Sequence, residues 1–454
     1  MEDTSRETRI FESDPVHQAV FELALPTIIT QLINIVYNLA DTWYVGRTGN
    51  PAMVAALSVC MPVYIIMAAV ANLFGIGGSS AISRSLGQKK PERARHVFAF
   101  CLWFGLAAGA LYGIMMAVFR DAIIPVIGGD VQSAPYVRSY MFWTMMIGAI
   151  PTVGNVLCGH LVRSIGCAKE AGFGMSMGGV LNIVLDPLFM FVLLPEGQEV
   201  AGAAIATLIS NSCALIYFLI FLSKRRNDPV LTLNIRDVST KDGIPGDVLM
   251  IGLPAALQTT MAMVSNIFAN ALVKEYGSAA VAGMGVAKKI NTLSFNTNMG
   301  LTQGVLPLIG YCYGAKNWKR MKKTISFTMV CAVSFGVLCT FLFRIFAPQL
   351  VVFFIDEAES VAYGTQFLRI IAFACATTAF SYLSTTVFQA CGRRRASFVL
   401  SILRKGIFDI PAMFVFKHFL GAQGVVWATP FAEVLSLIIA LIMFFRFMSH
   451  LEEA

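Results

Sequence analysis

Apolar runs long enough to cross a lipid bilayer recur twelve times along this chain. They cover residues 17–45, 53–83, 97–119, 136–161, 171–194, 201–223, 247–273, 280–312, 324–345, 361–391, 396–416 and 424–446. A hydrocarbon layer of about 30 Å needs roughly 20 helical residues to span it. Inside that layer no water is present to satisfy backbone N–H and C=O groups, so each segment must satisfy its own, as a helix does. The expected fold is therefore an all-α integral membrane protein with 12 transmembrane helices. Several runs exceed the minimum, which predicts tilt or kinks. Composition agrees: 57% of the 454 residues are hydrophobic and 13% charged, where a soluble domain has about half and a quarter.

The segment Met1 to Glu22 is mixed in charge, with Glu2, Asp3, Glu7, Glu12 and Asp14. It lacks the basic, apolar and small-residue regions of a cleaved secretory signal, so the first span is expected to act as its own insertion signal and to be retained. The net charge of +8 does not point to nucleic acid, because the basic residues recur in short clusters between apolar runs. Alternate loops carry them: Arg84 to Arg95, Arg163 and Lys169, Lys224 to Lys241, Lys316 to Lys323, and Arg393 to Arg395. The positive-inside rule puts these loops, both termini and the 224–246 linker in the cytoplasm of a cell bounded by an inner membrane. The ten cysteines are dispersed, with no CxxC and no metal-like spacing to His, and are expected to be apolar fillers.

The chain also repeats itself. Val54-Ala-Ala-Leu-Ser-Val59 answers Val281-Ala-Gly-Met-Gly-Val286, and Gly87-Gln-Lys-Lys-Pro-Glu-Arg93 answers Gly314-Ala-Lys-Asn-Trp-Lys-Arg320, both at one and the same offset. Leu25-Pro26 answers Leu253-Pro254, and Gly202-Ala-Ala-Ile-Ala-Thr207 answers Gly424-Val-Val-Trp-Ala-Thr429. Each half holds six spans, an even number, so both enter from the same side and form parallel repeats. The expected architecture is two pseudo-symmetric six-helix bundles, 17–223 and 247–446. A cytoplasmic segment 1–16, the linker 224–246 and a tail 447–454 complete the chain.

Two carboxylates, Asp41 and Asp186, fall inside spans, where a charge costs roughly 3 kcal/mol on insertion scales. Counting at about 1.5 Å per residue puts Asp41, Asp186, Asn182 and Thr207 in the outer half of the first bundle, with Asn182 and Asp186 on one helix face. Nearby carboxylates in low dielectric couple their titrations and make a proton carrier. Oxygens from Asp, Asn and Thr equally suit a hard cation such as Na⁺. A structural account has Asp186 satisfying backbone groups at the break made by Pro187. Pro26, deep in the first span and well before Asp41, is a candidate kink.

The second half carries a different charge set: Lys288 and Lys289 in span eight, and Arg404, Lys405 and Asp409 in span eleven. Lys405 and Asp409 are spaced i, i+4 and are expected to pair. Asp409 also lies near the repeat counterpart of Asp186, which makes a second coupling site the alternative. Aromatic and Met residues are frequent enough to line a cavity for apolar, planar or cationic molecules. Gly75-Ile-Gly-Gly lies within an apolar span with no preceding strand and is not a nucleotide site. No Walker A, HExxH or GxSxG occurs, so neither an ATP-driven pump nor a membrane hydrolase is expected.

Tyr37-Asn-Leu-Ala-Asp41-Thr-Trp-Tyr-Val-Gly46, Val54-Ala-Ala-Leu-Ser58, Leu181-Asn-Ile-Val-Leu-Asp-Pro187 and Gly310-Tyr-Cys-Tyr-Gly-Ala-Lys316 resemble the multidrug and toxic compound extrusion (MATE) transporters, in their bacterial DinF-like branch. The resemblance covers essentially the whole chain. It implies a monomeric, non-enzymatic exporter of small drug-like molecules, often cationic, driven by inward H⁺ or Na⁺ and needing no other cofactor. By that resemblance Asp41 is the acid of the first helix, Asn182 and Asp186 the amide–acid pair of the fifth, Thr207 the hydroxyl of the sixth and Pro26 the bending proline. Another branch places acids in helices seven and ten; here those stretches read Pro254-Ala-Ala-Leu-Gln258 and Thr377-Thr-Ala-Phe-Ser381, without a carboxylate. The rival expectations are a flippase for lipid-linked sugars, drawing on Lys288, Lys289, Arg404 and Lys405, and a channel or receptor-like protein.

Overall fold

The computed structural model describes residues 8–451, all helix and connecting turns with no strand among them. The ends of the chain assigned above to cytoplasmic segments, 1–7 and 452–454, lie outside the described residues. Twelve spans follow in order. In the first half they are α1 (Val16–Gly46), α2 (Pro51–Gly87), α3 (Pro91–Val126), α4 (Ala134–Ile147 with Ala149–Arg163), α5 (Ala168–Leu193) and α6 (Glu199–Lys224). In the second half they are α7 (Ile244–Lys274), α8 (Ser278–Gly314), α9 (Trp318–Ile345), α10 (Ala358–Ile371 with Ala374–Ala390), α11 (Arg394–Ile402, Leu403–Asp409 and Ile410–Leu420) and α12 (Ala422–Ser449). By length and composition eight of these helices could cross a membrane, and ten if each bent pair counts as one span. The other two are α8, which carries Lys288 and Lys289, and α11, which a π-helical turn over Leu403–Asp409 divides.

Three spans expected to be continuous are not. α4 bends by 51° after Ile147 and α10 by 45° after Ile371; these are repeat-equivalent places. The α4 break has Pro151 just beyond it, which cannot donate to the Ile147 carbonyl, and the α10 break has no proline; hydropathy alone ran each span straight through. In α4 a π turn over Phe142–Ile147 ends at Gly148. The third is α11, whose π turn Leu403–Asp409 contains Arg404, Lys405 and Asp409. α5 runs as an α-helix through Pro187 and turns π only over Phe189–Leu193, so Pro187 does not break it where the sequence suggested.

The repeat extends to single hydrogen bonds. After α2, Lys89 takes a left-handed conformation (φ 57°), and after α8 so does its repeat partner Lys316 (φ 57°). The same two bonds close each turn: Lys89 N to Leu86 O and Lys90 N to Ser85 O, then Lys316 N to Tyr313 O and Asn317 N to Cys312 O. A left-handed non-glycine residue costs about 1–2 kcal/mol, so the two halves keep the same strained turn.

At the end bearing the basic loops the halves close on one another. α2 is buried without interruption from Phe74 to Ser83, and α8 from Gly304 to Gly310. α2 lies on α7 and α8 on α1 at backbone distance. A Cβ on Gly77 would meet the carbonyl of Val248, one on Gly252 the carbonyl of Leu73, and one on Gly304 the backbone of Ala24. Asp247, at the start of α7, takes Arg93 of α3 and Arg394 of α11, each at 2.5 Å. Towards the other end burial thins: no residue of α1 from Leu32 to Tyr44 is fully buried.

The linker docks on α3 rather than hanging free. Arg95 Nε lies 2.8 Å from Asp237 Oδ2, and His96 Nδ1 donates to the Asp237 carbonyl at 2.7 Å. Burial pushes the Asp237 carboxyl up, but hydrogen bonds from Thr232 and Arg95 outweigh it and hold the group below the usual carboxylate range. A depressed carboxyl stabilises the docked linker fully above its unfolded pKa of about 3.9, and that stability is lost as pH falls through the folded value. Protection factors against hydrogen exchange over residues 230–238 should therefore be high at neutral pH and fall as pH drops below that range. In Asp237→Asn the acid-dependent step should vanish.

Candidate functional site

The first-half residues meet because short polar side chains at helical spacing face one another across α4, α5 and α6. Asn182 and Asp186 stand one turn apart on α5, and Asn182 Nδ2 donates to Asp186 Oδ1 at 3.0 Å and to Thr207 Oγ1 of α6 at 3.2 Å. Thr207 donates in turn to the Ala203 carbonyl, 3.0 Å away. One turn further along α6, Asn211 donates to the Thr207 carbonyl at 3.1 Å and accepts from Asn155 of α4 at 3.0 Å. Asp186 is 0% exposed, Asn182 3% and Thr207 7%, so the cluster is out of bulk water.

Several oxygens of this cluster are buried without a partner: Asp186 Oδ2, Asn182 Oδ1, Asn155 Oδ1 and Ser210 Oγ. A cavity of about 210 Å³ is lined by Asn155, Asn182, Thr207 and Ser210 together with Asn34, Tyr37, Asn38 and Tyr64 and with apolar Met67, Ala71, Val156 and Met175; Asp186 connects to its wall through Asn182. An ionised carboxylate buried with an empty acceptor oxygen is costly, and a proton or a small hard cation removes that cost. Among the described residues no group of three or more His, Cys, Asp or Glu could hold a metal ion. The oxygen donors are therefore amide, hydroxyl and a single buried acid, a weak-field set suited to a monovalent ion rather than a transition metal.

Asp41 does not join this hydrogen-bonded cluster. It is partly exposed on α1 with Oδ1 unpartnered, within electrostatic reach of Asp186 but without a hydrogen bond to it. α1 continues as a helix through Pro26, whose ring fits against Gly172 of α5. Thr30 Oγ1 ties the same two helices, 2.9 Å from the Pro26 carbonyl and 3.2 Å from the Gly172 carbonyl.

In the second half Lys405 Nζ pairs with Asp409 Oδ2 at 3.1 Å, as the spacing predicted. Asp409 also accepts from Ser265 of α7 at 2.6 Å and from Thr429 of α12 at 3.1 Å. Arg404 lies 3.7 Å from Glu433 of α12 and 4.4 Å from the Tyr382 ring centroid. Lys288 reaches Asn270 at 3.2 Å instead of entering the network, and Lys289 is exposed. Sequence reasoning missed Glu433, although a lone acid inside the last span is the signal that picked out Asp41. It also missed the amides Asn34, Asn38, Asn155 and Asn211; the i, i+4 spacings of Asn34 with Asn38 and of Thr207 with Asn211 could have found all but Asn155, which meets Asn211 across helices.

The chain is similar to known proteins along its full length. It is 27% identical to the multidrug export protein MepA of Staphylococcus haemolyticus (strain JCSC1435), over 97% of this chain and 96% of that one. MepA of Staphylococcus aureus (strain NCTC 8325 / PS 47) is 29% identical over 95% and 94%. Among solved structures, the outward-facing conformation of a multidrug resistance MATE family transporter of the MOP superfamily superposes with a TM-score of 0.91, at 27% identity and 98% coverage of both chains. A MOP superfamily transporter from Pyrococcus furiosus, described as having a binding pocket of reverse polarity, matches equally well at 26% identity, TM-score 0.91 and 98% coverage of both chains. The MatE family model matches residues 26–188 and again 254–415, once in each repeat and together most of the sequence, and the chain belongs to the MatE family.

Proposed function

We propose that this protein is a secondary multidrug antiporter, a multi-pass protein of the cell's inner membrane with both termini on the cytoplasmic side. It exports small drug-like organic compounds, often cationic, in exchange for H⁺ or Na⁺, and acts as a transporter rather than an enzyme. The observation that carries this reading is Asp186: fully buried, held by Asn182 on one oxygen and unpartnered on the other, with Asn182 and Thr207 standing between it and a partly polar cavity. The MepA relatives are named as multidrug export proteins, which supports the substrate class. The DinF-like branch is our reading of the sequence motifs.

In this mechanism a proton or Na⁺ enters from the open side and satisfies Asp186 Oδ2, with Asn182, Thr207 and the nearby Asp41 charge setting its affinity. Ligands shift a two-state equilibrium only by their differential affinity for the states. The coupling ion therefore favours one arrangement of the halves, and the organic substrate the other. Arg404 and Lys405 each face a carboxylate, so a flippase loses two of the four cations it would use to hold phosphate. Dye-loaded proteoliposomes test the proposal, with a pH gradient and a Na⁺ gradient imposed separately. One of the two should drive saturable dye export; if neither does, the antiport reading is wrong.

A further inference from the structure

The polar cluster of the first half has a counterpart in the second, and at the donor one turn before the acid the two differ by one charge. The repeat carries Asp186 onto Asp409 and Asn182 onto Lys405 by equal steps, and Thr207 onto Thr429 in the register that sets Gly202 on Gly424. The contacts follow the same plan. Each acid sits one helical turn beyond a nitrogen donor on its own helix, and each site holds a threonine from the sixth helix of its half, Thr207 accepting from Asn182 and Thr429 donating to Asp409 itself. At Asp186 the donor is a neutral amide and Oδ2 has no partner. At Asp409 the donor is the Lys405 ammonium, and both carboxylate oxygens are taken: Oδ2 by Lys405 and Ser265, Oδ1 by Thr429.

We propose that Lys405 is a tethered counter-cation that permanently fills, in the second half, the position a coupling cation takes at Asp186. Its ammonium, 3.1 Å from Asp409, supplies the positive charge that the first half must obtain from outside. The rest of the second-half site agrees. Asp41 has no acidic counterpart, since the register that sets Pro26 on Pro254 places the buried Ala269 there. The other charges near Asp409 are Arg404, which faces Glu433, and Lys288 of α8, so the surroundings hold no second unbalanced acid. Removing the ammonium would leave Asp409, Ser265 and Thr429 as a cage of oxygens around one negative charge, the donor type that hard cations take. The chain thus carries two copies of one site, and ion exchange is confined to the copy that lacks the lysine. This step rests on the coupling role proposed for Asp186.

The test is thermal unfolding of the purified full-length protein in detergent. Na⁺ is titrated against choline at constant ionic strength in one series, and pH is varied without Na⁺ in another. The background is Asp41→Asn/Asp186→Asn, in which the first-half site is silent; its midpoint should not respond to Na⁺ and should show only the pH dependence of the remaining groups, such as Asp237, which is subtracted from every variant. Adding Lys405→Ala should create a midpoint that rises with log[Na⁺] or with falling pH, as binding linkage requires, and further substitution of Asp409→Asn should flatten it again. A folded Lys405→Ala protein that answers to neither ion overturns the proposal. So does a Lys405→Ala protein that folds in no buffer while Lys405→Ala/Asp409→Asn folds, because an outside cation then cannot replace the ammonium. If the wild type responds to neither ion but Lys405→Ala does, the coupling role of Asp186 fails, and with it the likeness of the two sites, while Lys405 is still shown to hold the place of a cation at Asp409.

Discussion

Asp186→Asn should lower ion-driven dye efflux by about 5–150-fold, the span of about 1–3 kcal/mol of coupling free energy, while leaving dye binding within a few-fold of wild type. The asparagine keeps the size of the side chain and its hydrogen bond with Asn182, now 3.0 Å long, but can neither take a proton nor balance a cation. It imitates the neutralised acid permanently, so the exchange loses the step that distinguishes one orientation from the other. Asn182→Ala should act more mildly, because it removes a donor that orients Asp186 and leaves the charge. It should move the pH or Na⁺ dependence of efflux before it moves the maximal rate. Asp41→Asn should fall between the two, since Asp41 acts on Asp186 through the field and not through a bond. Initial rates in proteoliposomes and dye binding by fluorescence anisotropy measure both quantities. Undiminished gradient-driven efflux from correctly inserted Asp186→Asn protein would remove the acid from the mechanism.

What could be read in the sequence and what could not divide along a physical line. Hydropathy reports which residues avoid water, so it located the spans, and the constant offset between the halves paired their turns down to Lys89 and Lys316. It carries no signal for bending: α4 bends where a π turn meets Gly148 and Pro151 withholds an N–H from the Ile147 carbonyl, and α10 bends with neither a proline nor a π turn at its break. The i, i+4 rule found the contacts within one helix, Asn182 with Asp186 and Lys405 with Asp409. Partners across helices, such as Ser265 on Asp409 or Asn155 on Asn211, depend on rotation about helix axes, which no local pattern records. Depth counting placed Asp41 level with Asp186, and at that resolution the two read as one site; the hydrogen bonds separate a closed cluster on α5 and α6 from a lone acid on α1. The same rotation explains why nothing in the sequence sets Glu433 against Arg404 until α11 and α12 are packed.

Gly252→Leu should abolish transport from the opposite direction, by holding the basic-loop end open. The halves meet there along α2–α7 and α8–α1, where a Cβ on Gly252 would land on the carbonyl of Leu73. Backbone cannot swing aside as a side chain does, so the two helices must separate. Overpacking costs about 1–3 kcal/mol in an ordinary core, which against a two-state equilibrium displaces it by about 5–150-fold. The closed floor seals Cys312 and Cys391, 1% and 3% exposed. Their reaction with a membrane-impermeant maleimide from the basic-loop side should therefore speed up by a comparable factor, and efflux should fall with it. Gly246→Leu is the control, since no atom lies within 4 Å of a Cβ built there; it should leave both rates unchanged. If Gly252→Leu protein keeps both thiols protected and still transports, closure of this end does not depend on the glycine contact. The two experiments separate the halves of the proposed cycle: the Asp186 variant tests when the halves change orientation, and the Gly252 variant tests whether they can close.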